Sequence, residues 1–223
     1  MKTILISGAG SGLGAELAKQ WANQGHHIVL VGRTKEKLEL VDSYINTQNG
    51  SSSIYTCDIS NPKQIAHLKE SLKKDGVAVD LLVNNAGIGT FGALEEIGID
   101  DIHRVIDTNI KGTIFLTQAL LPTLKTVGGR VMNIISTAGL KGKNHESVYV
   151  ASKYAVRGFT ESLWKELETT NASATAVYMG GMDTPFWSDT DHVKDSTRLK
   201  SPSEKASQII HVDEGQKEIF IDR

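Results

Sequence analysis

Thr3-Ile4-Leu5-Ile6 runs directly into Ser7-Gly8-Ala9-Gly10-Ser11-Gly12-Leu13-Gly14. The first four residues are an unbroken apolar run, the pattern of a central parallel strand covered on both faces. Beyond the glycines, Leu13, Leu17 and Trp21 recur every fourth residue, and Gly25 closes the segment as a helix terminator. The order is strand, glycine-rich turn, helix. Four glycines within residues 8–14 would weaken a helix start if they had no purpose. Glycine lets backbone approach a ligand closely, and a helix N-terminus offers free N–H groups and a positive dipole end. The stretch predicts an α/β fold whose first turn cradles a pyrophosphate.

The second strand, His26 to Val31, ends in Gly32-Arg33. In dinucleotide folds an acid at this place accepts bonds from a ribose 2′-hydroxyl. Here no acid is present; Gly32 leaves space and Arg33 can pair with a 2′-phosphate, which favours NADP(H) over NAD(H). The two histidines read as loop or strand-edge residues. A helix marked by Leu38, Val41 and Ile45 follows, then a strand expected over Ile54–Ile59 that ends in Asp58 and Ile59. Asp58 either reaches an adenine amino group or caps the next helix, which starts at Ser60-Asn61-Pro62.

Asp80 to Val83 is a fourth strand ending in Asn84-Asn85-Ala86-Gly87, a second small, polar turn at a strand's carboxyl end. A long helix begins near Asp100-Asp101 with Ile102, Val105, Ile106, Ile110, Leu116 and Leu120 as its apolar stripe, and Pro122 is expected to kink or end it. Asn109 falls on that stripe, so its amide needs buried partners. Gly128-Gly129 leads into a fifth strand, Arg130 to Ile135, with Ser136 at its end. Ser147-Val148-Tyr149-Val150-Ala151-Ser152-Lys153 then places Tyr149 and Lys153 one helical turn apart, with Cβ atoms ~5–6 Å from each other. A free phenol titrates near ~10. A fixed ammonium beside it is expected to lower that value and make the pair an acid/base unit for carbonyl chemistry. A sixth strand (Ala174–Tyr178), the segment Met179 to Trp187, a polar flap over about 186–201, a helix from Ser203 to Val212 and a strand from Glu218 to Ile221 complete the chain.

Composition bounds the function. The 223 residues suffice for one large α/β domain, expected over 1–223. A net charge of −2 makes no case for nucleic acid or an anionic membrane as partner. The 21 glycines exceed the ~7% of average usage, in keeping with several glycine turns. One cysteine, Cys57, excludes an internal disulfide framework and suits a reducing, cytoplasmic setting. No apolar run approaches the ~20 residues of a membrane span, and no residue group completes a metal site.

Taken together and in order, Ser7-Gly8-x-x-x-Gly12-x-Gly14, Asp58, Asn84-Asn85-Ala86-Gly87, Asn109, Ser136 and Tyr149-x-x-x-Lys153 resemble the short-chain dehydrogenase/reductase family over essentially the whole chain. The resemblance implies a Rossmann-like, doubly wound sheet of about seven mostly parallel strands with helices on both faces. It implies the catalytic tetrad Asn109, Ser136, Tyr149 and Lys153: Tyr149 protonating a carbonyl oxygen, Lys153 lowering the phenol's pKa and holding the nicotinamide ribose, Ser136 bonding the same oxygen, Asn109 anchoring a relay water. It also implies cofactor contacts from Gly8, Ser11, Gly12, Leu13 and Gly14 in the first turn, from Arg33, Asp58 and Ile59, from Asn85, Ala86 and Gly87, from Tyr149 and Lys153, and from Met182 and Thr184. Ser7 stands where the family usually has Thr, and Met179 where it usually has Pro. A homodimer built on the helices carrying Asn109 and Tyr149 is expected, with a homotetramer as the larger option.

The function expected is NADPH-dependent reduction of a ketone, aldehyde or 3-oxoacyl group, with Leu140, His145, Met179, Phe186 and Trp187 as pocket candidates. The alternatives are a dinucleotide-binding regulatory protein without turnover, which a missing tetrad residue would favour, and a lyase or epimerase that retains its cofactor. No tetrad residue is missing.

Overall fold

Alternation along the first strand divides the interior in two. In a computed structural model describing residues 1–187 and 199–222, Thr3–Ser7 forms β1. Ile4 and Ile6 face one side of the sheet and Leu5 the other, because successive strand side chains point to opposite faces. The Ile4 face packs against α1 (Gly12–Asn23), α2 (Lys35–Thr47) and α7 (Pro202–Val212) through Leu17, Trp21, Leu38, Ile45 and Ile209. The Leu5 face packs against α3 (Pro62–Lys74), α5 (Thr113–Val127) and α6 (Ser147–Leu167) through Leu68, Leu116, Leu124 and Leu163.

The other strands are β2 (His27–Gly32), β3 (Ser51–Thr56), β4 (Leu81–Asn84), β5 (Arg130–Ile134), β6 (Ser173–Tyr178) and β7 (Glu218–Phe220). All pair in parallel in one seven-stranded sheet of order β3-β2-β1-β4-β5-β6-β7. The chain leaves β1 toward β2 and β3 on one side and returns to β4 on the other. The strand order therefore reverses between β1 and β4, and a crevice opens there at the carboxyl ends.

Three local expectations are corrected. β3 spans Ser51–Thr56, not 54–59, because it is an edge strand whose pairing is carried by polar residues: the His27 ring bonds Ser51 Oγ at 2.7 Å and Ser53 Oγ at 3.2 Å. The long helix is three pieces: α4 (Ile99–Val105), a π-helical segment Ile106–Gly112, and α5. Pro122 does not end α5, which runs on to Gly128 in the left-handed region at φ +67°. Pro122 and Gln118 both lie exposed, so the Gln118 carbonyl that the proline leaves without a donor is open to water.

The proposed helix start at Pro62 is as expected, with Asn61 capping α3 by accepting from the N–H of Lys63 at 3.0 Å. Of the polar flap, 188–198 lies outside the described residues. Its edges are structured: Pro185–Trp187 is a 3₁₀ turn, Lys200 bridges Met182, and the Ser201 hydroxyl caps α7.

Candidate active site

The first turn is held open by its neighbour. The Ser7 hydroxyl, fully buried, accepts from the N–H groups of Asn85 and Ala86, both at 3.1 Å. Asn85 in turn donates from Nδ2 to the carbonyls of Ser7 and Gly8. The ends of β1 and β4 are thereby stapled together. Gly8 sits at φ +68°, and a Cβ there would lie 2.9 Å from Ala86 Cα. At Gly14 a Cβ would lie 2.5 Å from Asn85 Nδ2 and closer still to the Gly8 carbonyl oxygen. Gly14 is thus required for helix-to-strand packing and does not line the cleft, in contrast to its expected cofactor role.

A cleft of about 1240 Å³ runs along the carboxyl ends of the strands. Gly8, Ser11, Gly12 and Leu13 border its middle, with Asn85, Ala86 and Gly87 opposite. Arg33, Asp58 and Ile59 border one end, and Ser136, Tyr149, Lys153, Met182 and Thr184 the other. Arg33 is exposed, and among the described residues no carboxylate pairs with it. Lys37, which the sequence reading did not single out, lines the same end. Asp58 accepts from the N–H and hydroxyl of Ser60, at 2.9 and 2.7 Å, and so orders the turn before α3. The residues fit an extended dinucleotide: side-chain-free floor at Gly8 and Gly12, a helix N-terminus at its middle, two cations at one end.

At the other end α6 presents Tyr149 and Lys153, both buried. The Ser136 hydroxyl hydrogen-bonds the Tyr149 phenol and also accepts from the N–H of Ala138 at 3.1 Å. Lys153 Nζ lies 5.7 Å from the centre of the Tyr149 ring and donates to the Ile134 carbonyl at 3.1 Å. Burial pushes the phenol up to about 12; the bond from Ser136 pulls it down and the Glu146 carboxylate adds to the rise. Burial likewise pushes the Lys153 ammonium down to about 8. Burial of the phenol thus works against the lowering expected from Lys153.

Asn109 lies in the π-helical segment behind the cleft wall and does not line it. Its side chain is fully engaged: Oδ1 accepts from Ile88 N–H at 2.9 Å, while Nδ2 donates to the Ile88 carbonyl at 2.8 Å and to Ser152 Oγ at 3.0 Å. Ser152 donates onward to the Tyr149 carbonyl at 2.7 Å. Asn109 thus locks the loop after β4 to the turn of α6 that carries the phenol. Ser152 was missed by sequence reading, although it lies within the Tyr149–Lys153 turn and its fixed distance from both was legible.

The pocket candidates are partly corrected. Met179, Phe186 and Trp187 line the cleft; Leu140 and His145 do not. Leu140 packs with Ile135 and Val156 beneath the sheet edge, and His145 takes a positive φ of 58° with its carbonyl accepting from Gly92 N–H. Phe91 and Glu146 line it instead. The Phe91 and Phe186 rings stand 5.8 and 5.6 Å from the Tyr149 ring, so the phenol lies under aromatic cover.

The short chain dehydrogenase family model matches residues 2–195. The chain belongs to the short-chain dehydrogenase family. Among curated members of this family, a fatty acyl-CoA reductase from Acinetobacter baylyi is 36% identical over 213 residues, covering 94% of this chain and 72% of that one. A sepiapterin reductase from Chlorobaculum tepidum is 34% identical over 196 residues, covering 84% and 80%. Among solved structures, a short-chain dehydrogenase from Sphingobium yanoikuyae in complex with NADPH superposes with a TM-score of 0.89 at 26% identity, covering 99% and 87%. Short-chain dehydrogenases are oxidoreductases, and the sheet order and crevice described above are those of this fold.

Proposed function

We propose that this short-chain dehydrogenase reduces a carbonyl to an alcohol with NADPH. The observation that carries the chemistry is geometric: the buried Tyr149 phenol, bonded to the Ser136 hydroxyl, faces the cleft beside Lys153. A group that holds its proton at neutral pH is a donor, which is what an alkoxide forming from a carbonyl requires. A bound nicotinamide dinucleotide would supply the hydride. Tyr149 gives its phenolic proton to the substrate oxygen, and Ser136 donates a hydrogen bond to that oxygen as its charge develops. Lys153 keeps donors beyond the one given to Ile134 and with them holds a ribose. Ser152 and Asn109 fix the α6 turn. The names of two relatives as reductases support the same direction.

Preference for NADPH rests on Arg33 just after β2 and Lys37 in the first turn of α2, and on the lack of an acid at the end of β2, where two cations favour a 2′-phosphate. The NADPH complex of the Sphingobium relative supports the assignment. The test is NADPH oxidation against a panel of aldehydes, ketones and 3-oxoacyl thioesters. Turnover with one class of carbonyl is expected. Tight NADPH binding without turnover of any of them would instead support a regulatory, non-catalytic dinucleotide binder.

The proposal extends to assembly and setting: a homodimer joined through α5 and α6, in the cytoplasm. Ile114, Phe115, Ala119 and Leu121 of α5 are only part-buried and Tyr154 of α6 is 41% exposed, so these helices keep apolar surface beyond their core stripe. Among the described residues no helix is long and apolar enough to cross a membrane.

A further inference from the structure

The loop after β6 borders the cleft with Met179, Gly180, Gly181, Met182 and Thr184, and it is gripped from behind by an ion pair outside the tetrad. Lys205 of α7 is 2% exposed, and its Nζ donates to both carboxylate oxygens of Asp222, at 2.7 and 2.6 Å. Asp222 follows β7, and its Oδ2 also accepts from the Gly180 N–H at 2.7 Å. One carboxylate therefore joins three segments: α7, the chain after β7, and the cleft loop. A Cβ on Gly180 would lie 3.1 Å from Asp222 Oδ2, so the close approach depends on glycine at 180. The loop's next residues are held by Lys200, which bridges Met182 and whose carbonyl accepts from the Asp183 N–H at 3.0 Å. Methionine at 179 does not fix φ as a proline would, and the clamp on residue 180 supplies that restraint from outside the loop.

Burying an ammonium is costly unless it is paired and bonded, and a hydrophobic pair of the same size would stabilise at least as well. A pair whose lysine is buried, whose aspartate keeps 34% of its side chain exposed, and which also spends an acceptor on a cleft-loop amide is better explained by the position it imposes. We propose that Lys205 and Asp222 are positioning residues that fix the loop 179–184 against the nicotinamide half of the cofactor. The inference rests on the reading of the cleft as an NADPH site.

The experiment compares two double variants. Lys205→Met with Asp222→Asn removes both charges but keeps a carbonyl acceptor for Gly180; Lys205→Met with Asp222→Leu removes the acceptor as well. Each is titrated with NADPH, following nicotinamide fluorescence, and with 2′-phospho-ADP-ribose, which lacks the nicotinamide. The Asn variant, which keeps an acceptor for Gly180 but loses the ion pair that aims it, should fall between the parent and the Leu variant in fluorescence change and kcat; a parent-like Asn variant would remove Lys205 from the positioning role. The Leu variant should bind 2′-phospho-ADP-ribose within about twofold of the parent, lose the fluorescence change of a held nicotinamide, and lose roughly 10- to 100-fold in kcat. If the Leu variant does not fold, Gly180→Ala crowds the same contact and should give the same split. Unchanged fluorescence and kcat in the Leu variant, or in Gly180→Ala where that replaces it, would overturn the positioning role. Absence of 2′-phospho-ADP-ribose binding by the parent would overturn the cofactor reading itself.

Discussion

Tyr149 and Lys153 carry opposite shifts for one reason. Each is buried, and burial disfavours whichever form is charged. For reduction, the competent state is a neutral phenol above a charged ammonium. The phenol, near 12, stays neutral across the working range, whereas Lys153, near 8, does not stay charged. A lowered lysine pKa means the proton leaves earlier as pH rises. The value of kcat/KM for NADPH reports ionisations of the free enzyme, so it should be flat below about pH 7 and fall through about pH 8. A profile that stays level to pH 10 would remove Lys153's charge from the mechanism. Tyr149→Phe removes the proton and keeps the ring under Phe91 and Phe186. It should lower kcat by ~10²–10⁴ with NADPH affinity nearly unchanged, and a parent-like rate would refute proton donation by Tyr149. At the far end of the cleft, Arg33→Asp places an acid beside a 2′-phosphate. The ratio of NADPH to NADH affinities should drop by at least ~10-fold, equivalent to one charge-assisted bond, as read by titration with both cofactors.

At the scale of elements, the most local signals were the most legible. The apolar run of β1, the glycines after it and the Asn61-Pro62 helix start declare themselves within a few residues, because each is settled by residues next to one another in the chain. Signals that depend on partners far along the chain were not readable. Ser7 looks like a turn residue in sequence, but in the fold its hydroxyl satisfies two amides 78 and 79 positions away. Asn84, Asn133, Thr117 and Thr160 are scattered through four elements yet form one buried chain of hydrogen bonds between β4, β5, α5 and α6. The π-helical segment at Asn109 was likewise invisible, since an apolar stripe at helical spacing does not reveal a widened turn. Gly112 ends that segment close against Ile59, whose side chain an added Cβ would approach to 2.8 Å. The staple at Ser7 yields a stability prediction. Ser7→Ala strands two N–H groups at a buried strand end and should cost about 2–3 kcal/mol in urea unfolding. A loss under 0.5 kcal/mol would mean that the β1–β4 junction does not depend on that hydroxyl.

For the whole molecule, the sheet order brings the cleft residues that leave the strands to one edge, where α6 adds Tyr149 and Lys153. Arg33 leaves β2, Ser7 and Gly8 leave β1, Asn85 leaves β4, Ser136 leaves β5 and Met179 leaves β6, all from carboxyl ends. The helices that back the reacting end, α5 and α6, are the ones proposed to join two copies. That coupling can be tested, because α6 carries Tyr154 on one face and Tyr149 and Lys153 on another. Phe115→Lys with Tyr154→Lys puts two cations on the proposed dimer face without touching the cleft. The parent should elute with twice the chain's mass by light scattering, and the variant with the mass of one chain. If α6 is braced by its counterpart, the monomeric variant should also lose activity while keeping its helical content, because the Tyr149 turn would then rest on contacts within one chain, the Asn109–Ser152 bonds among them. A parent that runs as a monomer, or a variant that stays dimeric, would remove α5 and α6 as the interface.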